Sequence, residues 1–206
     1  MNENVRRFQA ATGLGADGLY GPKTAAMAKL LIETGKIAVT GQVVVPAPEP
    51  ITTGTKRLYQ GSAEVDEIIL HCTDTMPDWM ERYPLSSKIK EIDRWHREQR
   101  GFRMIGYHWI IDRDGTVLPG RPETMMGAHV KEANVGTIGI SLVGGHGGAA
   151  TDDFDDHFTA AQRKAVLAKI EDIRTRARIT KISGHNDYAA KACPCFNVRE
   201  FLNEPA

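Results

Sequence analysis

Three side chains that could take part in catalysis lie close together near the end of the chain. His185, Lys191 and Cys193 bring an imidazole, an ammonium group and a thiol into one short segment. Gly184 precedes it and Pro194 follows Cys193, which argues against a regular helix or strand. Histidine nitrogen and cysteine sulfur are preferred zinc ligands, and a catalytic zinc has three protein ligands and one open position. The segment therefore predicts part of a zinc site, and the competing interpretation is a surface loop with a buried cysteine.

The remaining ligand is expected where a short apolar run ends. Residues 65–70 are mostly apolar and bounded by polar residues, which predicts a buried strand followed by His71. Strand ends that face a cleft are common ligand positions in α/β sheets. His71 and Cys72 would point to opposite faces of an extended chain, so only one of them can face the metal. We select His71, against the alternative that it is a satisfied core histidine.

Cys195 is the residue that could change the character of the site. If the chain were extended across Pro194, Cys193 and Cys195 would lie on the same side. A fourth protein ligand would close a zinc site and make it structural. Ligands only two residues apart strain a tetrahedron, so we expect Cys195 to stay outside the site.

The elements that must position these residues are short strands and two amphipathic helices. Predicted strands lie at 65–70, 107–112, 117–118, 137–143 and 179–182. An Asp-Gly pair between the second and third of them predicts a hairpin. One helix is predicted to begin at a cap on Ser86 or Ser87 and to end at Gly101. Another begins at a capping box made by Thr159 and Gln162.

The chain has 206 residues, enough for one full domain and a small additional piece. Residues 1–36 show helical spacing of apolar residues around a glycine-rich loop, which predicts a small helical segment. Three prolines within residues 46–50 predict a stiff linker, placed at 37–56. Residues 57–206 then form the main domain, which carries every candidate zinc ligand.

Charge and hydropathy exclude several classes of partner. Lysine plus arginine and aspartate plus glutamate both number 26, so nothing in the net charge suggests nucleic acid. No apolar run approaches the ~20 residues that span a bilayer, so membrane insertion is not expected. The first residues lack the apolar core of a signal peptide, and we expect synthesis in the cytoplasm and a monomeric chain.

Five segments of the main domain match one known family in the same order along the chain. They are residues 69–73, 106–117, 127–129, 138–145 and 184–194. Together they resemble the zinc-dependent N-acetylmuramoyl-L-alanine amidases of the phage-lysozyme and peptidoglycan-recognition-protein type. The resemblance implies an α/β (α+β) fold, in which a central mixed β-sheet is flanked by helices and a zinc site lies in a surface groove.

The same resemblance implies the roles of individual residues. His71, His185 and Cys193 would hold one zinc ion, and Tyr107 and Lys191 would be catalytic partners. The reaction would be attack by zinc-activated water on the amide between N-acetylmuramic acid and L-alanine of the peptidoglycan stem peptide. An ammonium group and a phenolic hydroxyl can both stabilise the oxyanion that develops during such an attack.

Two further positions are expected to line the substrate groove, His129 and Asn134. Some relatives have a glutamate near the tyrosine position that acts as an evident general base. This sequence shows none, so the group that transfers protons is left open.

Residues 1–36 resemble the second half of a small helical peptidoglycan-binding module, with its first helix and first repeat missing. They would bind the wall weakly or only dock onto the main domain. The whole chain thus resembles an endolysin, a phage amidase that accumulates in the host cytoplasm and reaches the wall after the membrane is breached. Two alternatives are a non-catalytic peptidoglycan recognition module and a regulator that binds an RNA polymerase. The intact Cys193 argues against the first.

Overall fold

The computed structural model describes residues 57–203. The expected module at 1–36 and linker at 37–56 lie outside the described residues, and the domain boundaries stay a prediction. No helix among the described residues is long and apolar enough to cross a membrane.

Within residues 57–203, seven strands and four α-helices follow one another along the chain. The strands are β1 (Tyr59–Gln60), β2 (Ala63–Glu64), β3 (Glu67–Cys72), β4 (Trp109–Ile111), β5 (Val117–Pro119), β6 (Thr137–Leu142) and β7 (Lys181–Gly184). The helices are α1 (Leu85–Arg100), α2 (Phe154–His157), α3 (Ala160–Arg174) and α4 (Val198–Asn203), and a 3-10 helix spans His185–Asp187.

Five of these strands form one mixed sheet in the order β5-β4-β6-β3-β7. The β4–β6, β6–β3 and β3–β7 pairs are parallel, and only the β4–β5 hairpin is antiparallel. The predicted Asp-Gly turn closes that hairpin, with Gly115 at φ 84°, where a residue without a Cβ is favoured. The predicted central mixed sheet flanked by helices is confirmed.

Strand register brings the candidate ligands to one edge of this sheet. In the β3–β7 pair Leu70 lies opposite Gly184, so the next residues, His71 within β3 and His185 just after β7, lie side by side. Parallel strands end at the same edge, where ligands commonly bind. This pairing, and not the distance along the chain, makes the two histidines neighbours.

Hydrophobic residues cover both faces of the sheet. Side chains alternate between faces, so Ile110 packs in one cluster with α1, whereas Ile111 packs in a larger cluster with α3. The larger cluster includes four buried phenylalanines, Phe154, Phe158, Phe196 and Phe201. Burying a side chain of this size contributes about 1.5–3 kcal/mol, so these clusters make a rigid base for the sheet edge.

Among the predicted helix boundaries, two are confirmed and one is wrong. Thr159 and Gln162 form the predicted capping box of α3, and Gly101 ends α1 in the left-handed conformation at φ 68°. The predicted cap at Ser86 or Ser87 is wrong, because Pro84 occupies the N-cap of α1. The two serines therefore lie in the first turn of the helix.

The first and last predicted strands are each displaced by two residues. β3 covers 67–72 rather than 65–70, and β7 covers 181–184 rather than 179–182. Thr180 and Lys181 both donate backbone hydrogen bonds to the carbonyl of Asp66, which fixes where the two strands begin to pair. A contact between segments so far apart in sequence cannot be predicted from the local hydropathy pattern.

Candidate metal centre

Three side chains at the sheet edge form a cluster that could hold a metal ion. One ligand atom from each of His71, His185 and Cys193 lies within 4.8 Å of the others. The sulfur of Cys193 is 3.7 Å from Nδ1 of His71, and the two imidazole rings are 4.8 Å apart at their centroids. Two nitrogens and one sulfur make a donor set that suits zinc and leaves a coordination position open.

The three cysteines of the chain separate into two groups. Cys72 and Cys195 are buried, with their sulfurs 3.6 Å apart, and Cys195 Sγ is also 3.1 Å from the carbonyl oxygen of Gly145. The chain is not extended at Cys195, whose φ is 70°, so its side chain does not follow that of Cys193. Cys193 instead accepts a hydrogen bond from the backbone N–H of Cys72 at 3.3 Å. Cys195 is thus outside the three-residue cluster.

A cavity of about 800 Å³ opens over this cluster. Tyr107, Lys191, His129 and Asn134 all line it, together with His185 and Cys193. The ring of Tyr107 lies 5.2 Å from that of His71. Burial raises the pKa of Tyr107, and the nearby Cys193 and Cys72 sulfurs raise it further, so the phenol keeps its proton and can act as a donor.

Burial also keeps the clustered histidines neutral. It lowers the pKa of His71 well below its ordinary value, with smaller contributions from His129 and His185. The pKa of His185 is lowered by burial and by the charge of Lys191. Neutral imidazoles have a free lone pair, which is the form that ligates metals.

Among the three candidate ligands, the Cys193 thiol is the one that would have to lose a proton to bind a metal ion. Its hydrogen bond with Cys72 and its burial raise the pKa of the thiol. A metal ion reverses this, since a coordinating thiol is deprotonated. Metal binding at this candidate site would therefore release a proton and would be favoured by higher pH.

The two residues expected to line the groove also contact the site's own residues. His129 is buried, and its Nδ1 lies 3.0 Å from Nε2 of His71. Asn134 accepts hydrogen bonds from the backbone N–H groups of His129 and Val130 at 2.8 and 3.0 Å. Their expected contact with substrate stays a prediction.

Sequence reasoning missed Ser141, which lies opposite His71 in the register of β6 and β3. Its hydroxyl oxygen is buried, and its contact with the phenol of Tyr107 lowers the pKa of that phenol, against the larger opposing effect of burial. The available signal was a serine within an otherwise apolar strand, where a buried hydroxyl needs a reason.

Comparisons with known proteins identify the family to which the chain belongs. Residues 61–196 match the family described as N-acetylmuramoyl-L-alanine amidase. The endolysin of Escherichia phage T7 is 37% identical over 146 residues, which are 69% of this chain and 89% of that protein. For the endolysin of Enterobacteria phage T3 the identity is 36%, with the same coverage.

Two solved structures share the fold of this chain. The N-acetylmuramoyl-L-alanine amidase LysC from Clostridium intestinale matches with a TM-score of 0.54 and 27% identity, over 68% of this chain and 87% of that one. A recognition protein of Apis mellifera, PGRP-SA, shares the fold with a TM-score of 0.57 and 19% identity, over 75% of this chain and 91% of its own. The chain belongs to the N-acetylmuramoyl-L-alanine amidase family.

Proposed function

We propose that this chain is an endolysin that cleaves bacterial peptidoglycan between N-acetylmuramic acid and L-alanine of the stem peptide. The observation that supports this most is the set of three ligand atoms within 4.8 Å of one another beneath the cavity. The endolysins of phages T7 and T3 match most of the described residues.

In this proposal one zinc ion is held by His71, His185 and Cys193. Zinc in such a site supplies a Lewis acid and makes water nucleophilic near neutral pH. The fit rests on the donor atoms, because neutral imidazole nitrogens and a thiolate are the ligands that zinc prefers.

Tyr107 and Lys191 supply the donors that the reaction needs. The amide oxygen gains negative charge as the carbonyl is attacked, and preorganised donors stabilise that charge most effectively where water is excluded. Tyr107 offers a neutral O–H from the wall of the cavity, and Lys191 offers an ammonium group from its more exposed side. His129 and Asn134 would border the bound peptide.

The proposal extends to location and partners. The protein would accumulate in the host cytoplasm as a monomer and reach peptidoglycan after the membrane is permeabilised. Residues 1–36 would add weak affinity for the wall, and residues 37–56 would act as the spacer.

The test combines zinc analysis with wall digestion for the full chain and for Cys193→Ser. We expect one zinc per native chain and release of dye from labelled peptidoglycan. The variant should lose both together, since serine is a poor replacement for a thiolate ligand. Mass spectrometry should find free stem peptides that begin with L-alanine.

Two outcomes would contradict the proposal. Bound zinc without wall cleavage would favour the recognition module. Cleavage that produces new reducing sugar ends instead of free peptides would identify a glycosidase.

A further inference from the structure

A buried chain of hydrogen bonds runs from the candidate metal centre into the sheet. Nε2 of His71 lies 3.0 Å from Nδ1 of His129, and Nε2 of His129 lies 3.4 Å from Oγ1 of Thr137. All three residues are buried. The other nitrogen of His71, Nδ1, is the one that faces Cys193.

The direction of these hydrogen bonds can be worked out from Thr137. Its hydroxyl lies 3.0 Å from the carbonyl oxygen of Ala133 and 3.2 Å from that of Asn134. Both contacts are shorter than the 3.4 Å contact to His129, and a carbonyl can only accept, so the single hydroxyl proton of Thr137 is directed to one of the two carbonyls. Toward His129, the hydroxyl oxygen is then an acceptor.

The proton positions on both imidazole rings follow from this. His129 must carry its proton on Nε2 to donate to Thr137, and a neutral ring then has a bare Nδ1. That bare nitrogen can only accept, so His71 donates from Nε2. A neutral His71 with its proton on Nε2 has its free lone pair on Nδ1, directed toward Cys193.

The protein encloses the His129 ring closely. A Cβ on Gly127 would lie 2.4 Å from Cδ2 of His129, and a Cβ on Gly139 would lie 2.7 Å from the same atom. Because neither glycine has a Cβ, the His129 ring fits between β6 and the loop that contains Gly127. Asn134 fixes the backbone at the N–H of His129. His129 therefore has little freedom to rotate away from His71.

We propose that His129 is a positioning residue that fixes the tautomer of His71 and so presents Nδ1 of His71 as a metal ligand. Groups that hydrogen-bond the second nitrogen of a ligating histidine set its tautomer and orientation. The consequence for zinc affinity rests on the proposed function. The assignment of the tautomer does not rest on the proposed function, since the hydrogen bonds fix the tautomer before any metal binds.

The first test is made on the metal-free full chain. Long-range proton–nitrogen NMR correlations distinguish a protonated from a bare imidazole nitrogen. We expect His71 and His129 both to carry their protons on Nε2. A native protein with the proton of His71 on Nδ1 would overturn the inference, whether or not the chain binds zinc.

The second test compares two substitutions at one position. His129→Phe keeps a ring but removes the acceptor, and should weaken zinc binding by about 10- to 100-fold in competition with a chelator. His129→Asn places an amide oxygen near the former Nδ1 and should recover most of that loss. The NMR spectrum of metal-free His129→Phe should show a mixture of His71 tautomers.

The outcomes separate positioning from packing. Equal losses of affinity in the two variants would mean that the shape of the imidazole matters and not its lone pair, which contradicts the proposal. Unchanged affinity in His129→Phe would contradict it as well. If the native chain binds no zinc, the proposed function fails, and the tautomer measured in the native protein alone decides whether the inference stands.

Discussion

At the scale of single residues, identical side chains acquire different chemistry from their surroundings. Cys193 lies beside His71 in the cavity wall, whereas Cys195 is buried against Cys72 and does not line the cavity. Sequence spacing placed Cys193 and Cys195 on one side, on the assumption of an extended chain. The positive φ of Cys195 shows that the chain is not extended there. The fourth-ligand alternative therefore has no geometric support.

This difference predicts that Cys195→Ser keeps its zinc. A serine hydroxyl can still donate to the carbonyl oxygen of Gly145, which Cys195 contacts now. We expect zinc content and wall cleavage close to those of the native chain, measured beside Cys193→Ser. Loss of the metal in Cys195→Ser would show that this sulfur is a ligand after all.

A second residue-scale prediction concerns Lys191, the proposed oxyanion donor. Lys191→Ala should lower turnover about 10²- to 10³-fold, as removal of one such donor does, while zinc content stays the same. Lys131→Ala is the matched control, since that lysine lines the same cavity and its side chain is 92% exposed. Turnover measured by peptide release should be similar for Lys131→Ala and the native chain. An equal decrease in both variants would indicate a general effect of charge on substrate binding.

At the scale of elements, the features confirmed from sequence are turns and helix ends that are set by residues close together in the chain. The Asp-Gly hairpin and the capping box at Thr159 depend on residues within a few positions of each other, and both are confirmed. The adjacency of His71 and His185 depends on the register between β3 and β7. The role of Gly139 depends on a histidine ring from another segment. Neither of these long-range relations is encoded in spacing or hydropathy.

The two helix starts give a matched prediction about stability. Thr159 accepts from the N–H of Gln162 at 3.1 Å and donates to the carbonyl of Arg113 at 2.6 Å. Thr159→Ala should therefore lower the free energy of unfolding by about 1 kcal/mol. Ser86→Ala should change it by less than about 0.5 kcal/mol, because Ser86 is exposed and does not cap its helix. Urea denaturation with an unchanged m-value is the measurement, and equal effects would contradict the assigned caps.

At the scale of the whole molecule, the chain buries several histidines around one sheet edge, and this links stability to pH. Burial lowers the pKa of His96 to about 4 and that of His129 to about 3. In the unfolded chain a histidine has a pKa of about 6.5. Between these values the unfolded chain binds protons that the folded chain does not. Stability is therefore fully present above about pH 6.5 and decreases as the pH falls toward the folded values.

The resulting prediction is made for metal-free protein, so that proton release by Cys193 does not contribute. The free energy of unfolding should fall between pH 6.5 and 5, by up to about 1.4 kcal/mol per pH unit for each buried neutral histidine. His96→Asn should make the change in unfolding free energy with pH less steep, by the contribution of one histidine. An amide oxygen can still accept the N–H of Gly106, which now donates to Nδ1 of His96 at 3.0 Å. Urea denaturation at several pH values measures both slopes, and an unchanged slope in His96→Asn would show that His96 already binds its proton in the folded protein.

Carboxylates do not account for a loss of stability between pH 6.5 and 5. Burial opposes ionisation of Glu123, but its contacts with Arg176 and Trp109 lower its pKa overall, so it titrates below this pH range.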